Sequence, residues 1–81
     1  MKTTTKTIRR VDQRWLMTEV GKRLRVAREK RGMTLHQAAL HFGVTRAAVN
    51  NWELANQAGM MLANIYDASL IYDVPIKELL P

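Results

Sequence analysis

Eighty-one residues, with 13 Lys and Arg against 7 Asp and Glu, a net charge of +6 and 47% hydrophobic content, describe one small folded domain with a basic surface. The chain contains no cysteine, which excludes disulfides, thiolate metal sites and a cysteine nucleophile. No apolar run approaches a membrane span and no signal-peptide core follows the basic start, so a cytoplasmic protein without a membrane partner is expected.

The charge is unevenly placed. Residues 1–31 hold eleven of the basic side chains against Asp12, Glu19 and Glu29, a net +8. Residues 32–81 hold Arg46 and Lys77 against Glu53, Asp67, Asp73 and Glu78, a net −2. The opening MKTTTKTIRRVDQRW is polar and lacks periodicity before Ile8. Residues 1–15 therefore read as a flexible basic arm and 16–81 as the folded domain. Such arms wrap DNA or enter its minor groove, although a plain solvated tail has the same composition. A first helix is expected from about Thr18 to Arg31, where Leu16, Val20, Leu24 and Ala27 recur at intervals of four and three. Gly32 ends it, with Met33 in the apolar place of a Schellman cap.

The segment Leu35–Leu54, LHQAALHFGVTRAAVNNWEL, carries two short helices, Leu35–Phe42 and Thr45–Leu54. Ala39 is small where two helices would touch, and Gly43 suits a left-handed turn between them. Val49 and Trp52 share one face, matched by Ala38 and Phe42 on the preceding helix. Thr34 with Gln37 forms a capping-box pattern, and Thr45 suits the N-cap of the second helix. Any one of these positions fits an ordinary helical hairpin. Their joint spacing resembles a DNA-binding helix-turn-helix, whose second helix enters the major groove. Beside it, the basic N-terminal third has the electrostatic character of a phosphate binder, where alone it would mark only a solvated face.

Asn56–Gly59 reads as a loop. A helix from about Met60 to Tyr72 follows, with Met61, Ile65, Ala68 and Tyr72 on one face. Pro75 opens a short last helix to Leu80. No strand pattern or repeat occurs. Enzyme chemistry finds little support. His36 and His41 are five apart and do not stack as a metal pair. Gly21, Gly32, Gly43 and Gly59 are isolated rather than forming a phosphate loop, and the carboxylates do not pair. No cofactor, metal or catalytic residue is expected.

The stretches VGKRLRVAREKRGMT, LHQAALHFGVTRAAVNNWE and DVPIKELL, spanning about Val20 to Leu80, resemble the lambda-repressor-like family, the Cro/cI (XRE) type of regulator. The resemblance implies an all-α, compact five-helix bundle, and a phage or bacterial repressor that binds a palindromic operator in double-stranded DNA as a homodimer. By position it assigns Thr45, Arg46, Ala47, Asn50 and Asn51 to the groove. Spacing independently leaves these residues off the Val49/Trp52 face. Arg46 suits bidentate pairing to guanine, Asn50 or Asn51 to adenine, and Ala47 an apolar contact to a thymine methyl. Arg28 and Glu53 occupy the places of a structural salt bridge that orients the recognition helix. Arg9, Arg10, Lys22, Arg25, His36, Gln37 and Asn56 are the DNA-backbone residues expected.

Two departures stand out. Leu35 replaces a glutamine that many relatives use at the start of the second helix, and the loop LANQAGM lacks the usual proline and basic charge. The alternative reading on the same fold is an antitoxin, or a subunit that binds a protein partner such as a toxin or regulator. Met60, Met61, Leu62, Ile71 and Ile76 would supply its apolar surface.

Overall fold

The computed structural model describes residues 13–56, 60 and 62–81. Four α-helices and a closing 3-10 turn follow in chain order: α1 Gln13–Lys30, α2 Leu35–Phe42, α3 Arg46–Leu54, α4 Leu62–Ile71, and the turn Ile76–Glu78. The described residues include no strand. None of the described helices is long and apolar enough to cross a membrane.

Each helix ends by local chemistry. The Met33 amide donates to the Arg28 carbonyl at 3.1 Å and that of Gly32 to Glu29 at 2.9 Å, a Schellman closure with Gly32 left-handed at φ 75. The same pattern closes α2, where Gly43 stands at φ 72 and the Val44 amide reaches the Ala39 carbonyl. The ends of α3 and α4 repeat it without glycine. Ala55 (φ 56) and Asp73 (φ 57) take the left-handed place, and the amides of Asn56 and Val74 bond back to the carbonyls of Asn51 and Ser69. At the N-terminus of α2 the capping box is complete: the Gln37 amide donates to Thr34 Oγ1 at 3.1 Å and the Thr34 amide to Gln37 Oε1 at 2.9 Å.

The core forms where α1 lies against α3, α2 against α3 and α4, and the closing turn against α4. Val20, Leu24 and Ala27 from α1 meet Ala38, Ala39, Val49, Ala68, Tyr72 and Leu79, all buried. Phe42 links three elements. Its ring packs edge-on against Trp52 of α3, with centroids 5.2 Å apart, and against Tyr72 beyond α4, at 5.8 Å.

Three expectations change. The first helix begins at Gln13 rather than Thr18, so it takes in Gln13, Arg14 and Trp15 from the stretch read as an arm. The fifth helix of the expected bundle is a single 3-10 turn. Pro75 (ψ 143) precedes that turn as its cap rather than lying inside it, and the chain stops winding where Leu79 drops fully into the core. Residues 57–59, most of the expected loop, and Met61 lie outside the described residues, as do Arg9 and Arg10 of the arm.

Candidate nucleic-acid interface

Gly43 reverses the chain in a turn of three residues, and Thr45 then restarts it as a helix. Its hydroxyl accepts the Ala48 amide at 3.1 Å, capping α3 while keeping its own proton to donate elsewhere. Val49 is buried and Trp52 packs on the core, so the opposite side of α3 is fixed outward. Arg46 and Ala47 are exposed there, beside Thr45, while Asn50 and Asn51 are half-buried. Asn56 Nδ2 lies 3.5 Å from Asn51 Oδ1, a long contact beside the end of α3.

Two contacts hold the far end of α3. Arg28 Nε donates to Glu53 Oε2 at 2.7 Å and Nη2 to Glu53 Oε1 at 3.0 Å, a bidentate pair in which each residue is only 8% exposed. Arg28 Nη1 also donates to the Met33 carbonyl at 2.8 Å, so one side chain ties α1, the turn after it and α3 together. Hydrogen bonding to Glu53 raises the Arg28 pKa above its ordinary value, outweighing the opposing effect of burial.

The second contact was not legible from sequence. Gly21 is buried in the middle of α1. A Cβ built on it would lie 2.6 Å from the Glu53 carbonyl oxygen and 2.7 Å from that of Trp52. Only glycine lets α1 approach the end of α3 so closely. The available signal was a glycine inside a periodic helix, where it costs about 1 kcal/mol relative to alanine unless packing requires it.

The expected backbone residues are spread over two helices and one turn. Lys22 and Arg25 are exposed on α1, each beside an acid of the same helix: Glu19 at 3.6 Å and Glu29 at 3.2 Å. Both pairs are exposed and hold their partners only weakly, so either base can exchange its carboxylate for another anion. His36 and Gln37 stand exposed in the first turn of α2. Gln37 has its Oε1 committed to the cap and its Nε2 left as a donor. Asn56 is exposed just after α3. Leu35 is half-buried against the core, so the side chain at the usual glutamine position serves packing. Among the described residues no group of three or more His, Cys, Asp or Glu could hold a metal ion.

These elements define a helix-turn-helix whose second helix is capped at one end, anchored at the other and polar outward. A family model described as "Helix-turn-helix" matches residues 24–79. Among solved structures, the chain is similar to the restriction-modification controller protein C.AhdI from Aeromonas hydrophila. The two are 28% identical, over 79% of this chain and 96% of that one, with a TM-score of 0.71. It is also similar to the BldD DNA-binding domain from S. venezulae, at 25% identity over 83% of this chain and 99% of that one, with a TM-score of 0.72. Hydroxypropylphosphonic acid epoxidase from S. wedmorenis is 23% identical, over 82% of this chain but 35% of its own, with a TM-score of 0.75. That last likeness is one of fold alone. No curated protein matches the chain. The chain belongs to the lambda-repressor-like (XRE) helix-turn-helix family and is a DNA-binding regulator of transcription.

Proposed function

We propose that this protein is a Cro/cI-like repressor that binds a palindromic operator as a homodimer. Two copies of α3 would enter successive major grooves about 34 Å apart. The observation that carries the reading is the outward face of α3, with Arg46, Ala47, Asn50 and Asn51 presented on a helix whose orientation is fixed by the buried Arg28–Glu53 pair. Arg46 reads a guanine through its fork, Asn51 an adenine through its amide, and Ala47 a thymine methyl. Thr45 and Asn50 face the groove beside them, His36, Gln37 and Asn56 contact phosphates near α3, and Lys22, Arg25, Arg9 and Arg10 add salt-sensitive attraction. The likeness to a restriction-modification controller protein over nearly that protein's whole length supports the regulator reading.

Selection of random duplexes by the purified protein at about 150 mM salt, followed by sequencing, tests the reading. A two-fold motif with half-sites about one helical turn apart is expected. Arg46→Ala and Asn51→Ala should each weaken binding by roughly 1–3 kcal/mol and relax preference at a single base position. Retention without any motif, lost steeply as salt is added, would refute sequence-specific operator binding.

A further inference from the structure

Gly21 and Arg28 turn one side of α1 toward α3. Val26 and Lys30 stand roughly 140–180° around the helix from them, on its far side. There a cavity of about 170 Å³ opens between α1 and the closing turn, with Val26, Ala27, Val74 and Leu79 as its apolar lining. Three bases, Lys22, Arg23 and Lys30, stand around it against a single acid, Glu78. Val26 is 55% exposed, an apolar side chain left in solvent among charged neighbours. The geometry points to a binding site for a small amphipathic carboxylate, whose apolar body has the size of one aromatic ring and whose anionic end rests at Lys30. The site lies apart from the outward face of α3 and does not depend on operator binding.

Each part of that description has its own observation. A dry cavity of roughly 150 Å³ takes up one benzene ring, which sets the size of the apolar body. Apolar contact alone would accept a neutral ring as readily, but three bases against one acid favour an anion. Lys30 is the base left to hold it. Lys22 stands 3.6 Å from Glu19, and Arg23 Nη1 donates to the Glu78 carbonyl at 3.4 Å, closing one wall between α1 and the turn. The Lys30 ammonium has no hydrogen bond or ion pair among the described residues. The chain itself is a poor occupant, since a second copy carries +6 and residues 1–12 hold four bases against Asp12. A long acidic peptide is disfavoured as well. The neighbouring cavity, which shares Lys30, sets that base and Arg31 against Asp73 and Glu78, with no positive excess to continue the site.

Full-length protein labelled with 15N is titrated with phenylacetate at about 150 mM salt, and in parallel with phenylacetamide, phenethylamine and acetate. The amide signals of Val26, Ala27, Val74 and Leu79 should shift and saturate with phenylacetate, with a Kd of about 1 mM or tighter for so small a ligand. The neutral amide, the amine and acetate should each bind at least about fivefold more weakly. Lys30→Glu and Val26→Glu, both exposed positions, should weaken phenylacetate by at least about fivefold with unchanged helical content. Lys77→Glu makes the same change in net charge outside the lining and should leave binding as it is. The proposal is overturned if no saturable shift appears by about 10 mM phenylacetate. Phenylacetamide or acetate binding as tightly as phenylacetate overturns it, as does a Lys30→Glu protein with wild-type affinity or a Lys77→Glu protein that loses as much. An acidic peptide ending in phenylalanine that occupies the cavity where phenylacetate does not would also overturn it, and would give the site to a protein instead.

Discussion

Replacing Gly21 with alanine should damage this protein, although the same change stabilises most helices. At an unconstrained position in a helix interior it gains about 1 kcal/mol. At Gly21 the added methyl would lie 2.6 Å and 2.7 Å from two backbone carbonyl oxygens of α3, well inside ordinary van der Waals contact at 3.4–4 Å. Backbone does not swing aside as a flexible side chain does, so α1 and the end of α3 must separate by several tenths of an ångström. Overpacking of this kind costs about 1–3 kcal/mol. The separation also loads the Arg28–Glu53 pair, because Glu53 supplies one of the two carbonyls. The expected result is a net loss of about 1–3 kcal/mol. At about 4–8 °C per kcal/mol for a domain of this size, Tm should fall by at least several degrees in a thermal melt followed by circular dichroism. Gly32→Ala is the matched control. Nothing lies within 4 Å of its added methyl and only the left-handed backbone is strained, so it should cost about 1 kcal/mol and leave DNA affinity unchanged once folded. A Gly21→Ala protein that melts higher than wild type would refute the close-approach argument outright.

Ala55 holds a left-handed conformation without glycine, so Ala55→Gly should raise stability by about 0.5–1 kcal/mol in urea titration; a loss would mean that the Ala55 methyl is needed for packing. Arg28→Met alone should cost about 3–5 kcal/mol by leaving a buried carboxylate unpaired, while Arg28→Met with Glu53→Leu should recover most of it; additive losses in that double-mutant cycle would contradict a coupled pair. Burial, with the nearby Glu53 charge adding to it, raises the Tyr72 pKa above its ordinary value, so the folded state favours the neutral phenol. Its contribution is then complete below the unfolded value of about 10 and is lost as pH climbs beyond it. Between about pH 9 and 11 wild type should lose Tm more steeply than Tyr72→Phe, and parallel curves would exclude Tyr72 as the cause.

The legible parts of the fold are those whose cause is local. Thr34 and Gln37 cap one another across three residues, and Gly32 and Gly43 supply left-handed turns wherever they stand, so the span Leu35–Phe42 could be drawn from sequence. Ala55 and Asp73 carry out the same turn only because the packed helices before them force it, and neither residue announces a helix end. The short closing turn had the same difficulty. Pro75 followed by IKELL reads as a helix, but burial of Leu79 decides where winding stops. At the candidate site the residues of α3 placed away from the core followed from family position, with which the Val49/Trp52 spacing agrees; Arg46 and Ala47 are exposed, and Asn50 and Asn51 half-buried. The need for Gly21 followed from neither, because the carbonyls it approaches are more than thirty residues away in the chain. The apolar surface expected of Met60, Met61, Leu62, Ile71 and Ile76 is divided among the described residues. Leu62 and Ile76 are exposed, but Met60 and Ile71 pack on the core.

Leu35 shows how recognition and stability divide in this chain. At the place where many relatives carry a glutamine, Leu35 packs half-buried against the core and serves folding. What holds α3 overlaps with what it presents only at Thr45, which caps the helix and stands exposed beside Arg46. Thr45 caps its start, and Gly21, Arg28 and Glu53 fix its end, while Arg46 and Ala47 stand exposed. Because these outward side chains support nothing, their substitution should change which DNA is chosen without changing whether the protein folds. Arg46→Ala should melt within about 0.5 kcal/mol of wild type while losing its base preference. A large loss of stability in that variant would mean that the outward face of α3 has a structural role, and that binding and folding are not separable here.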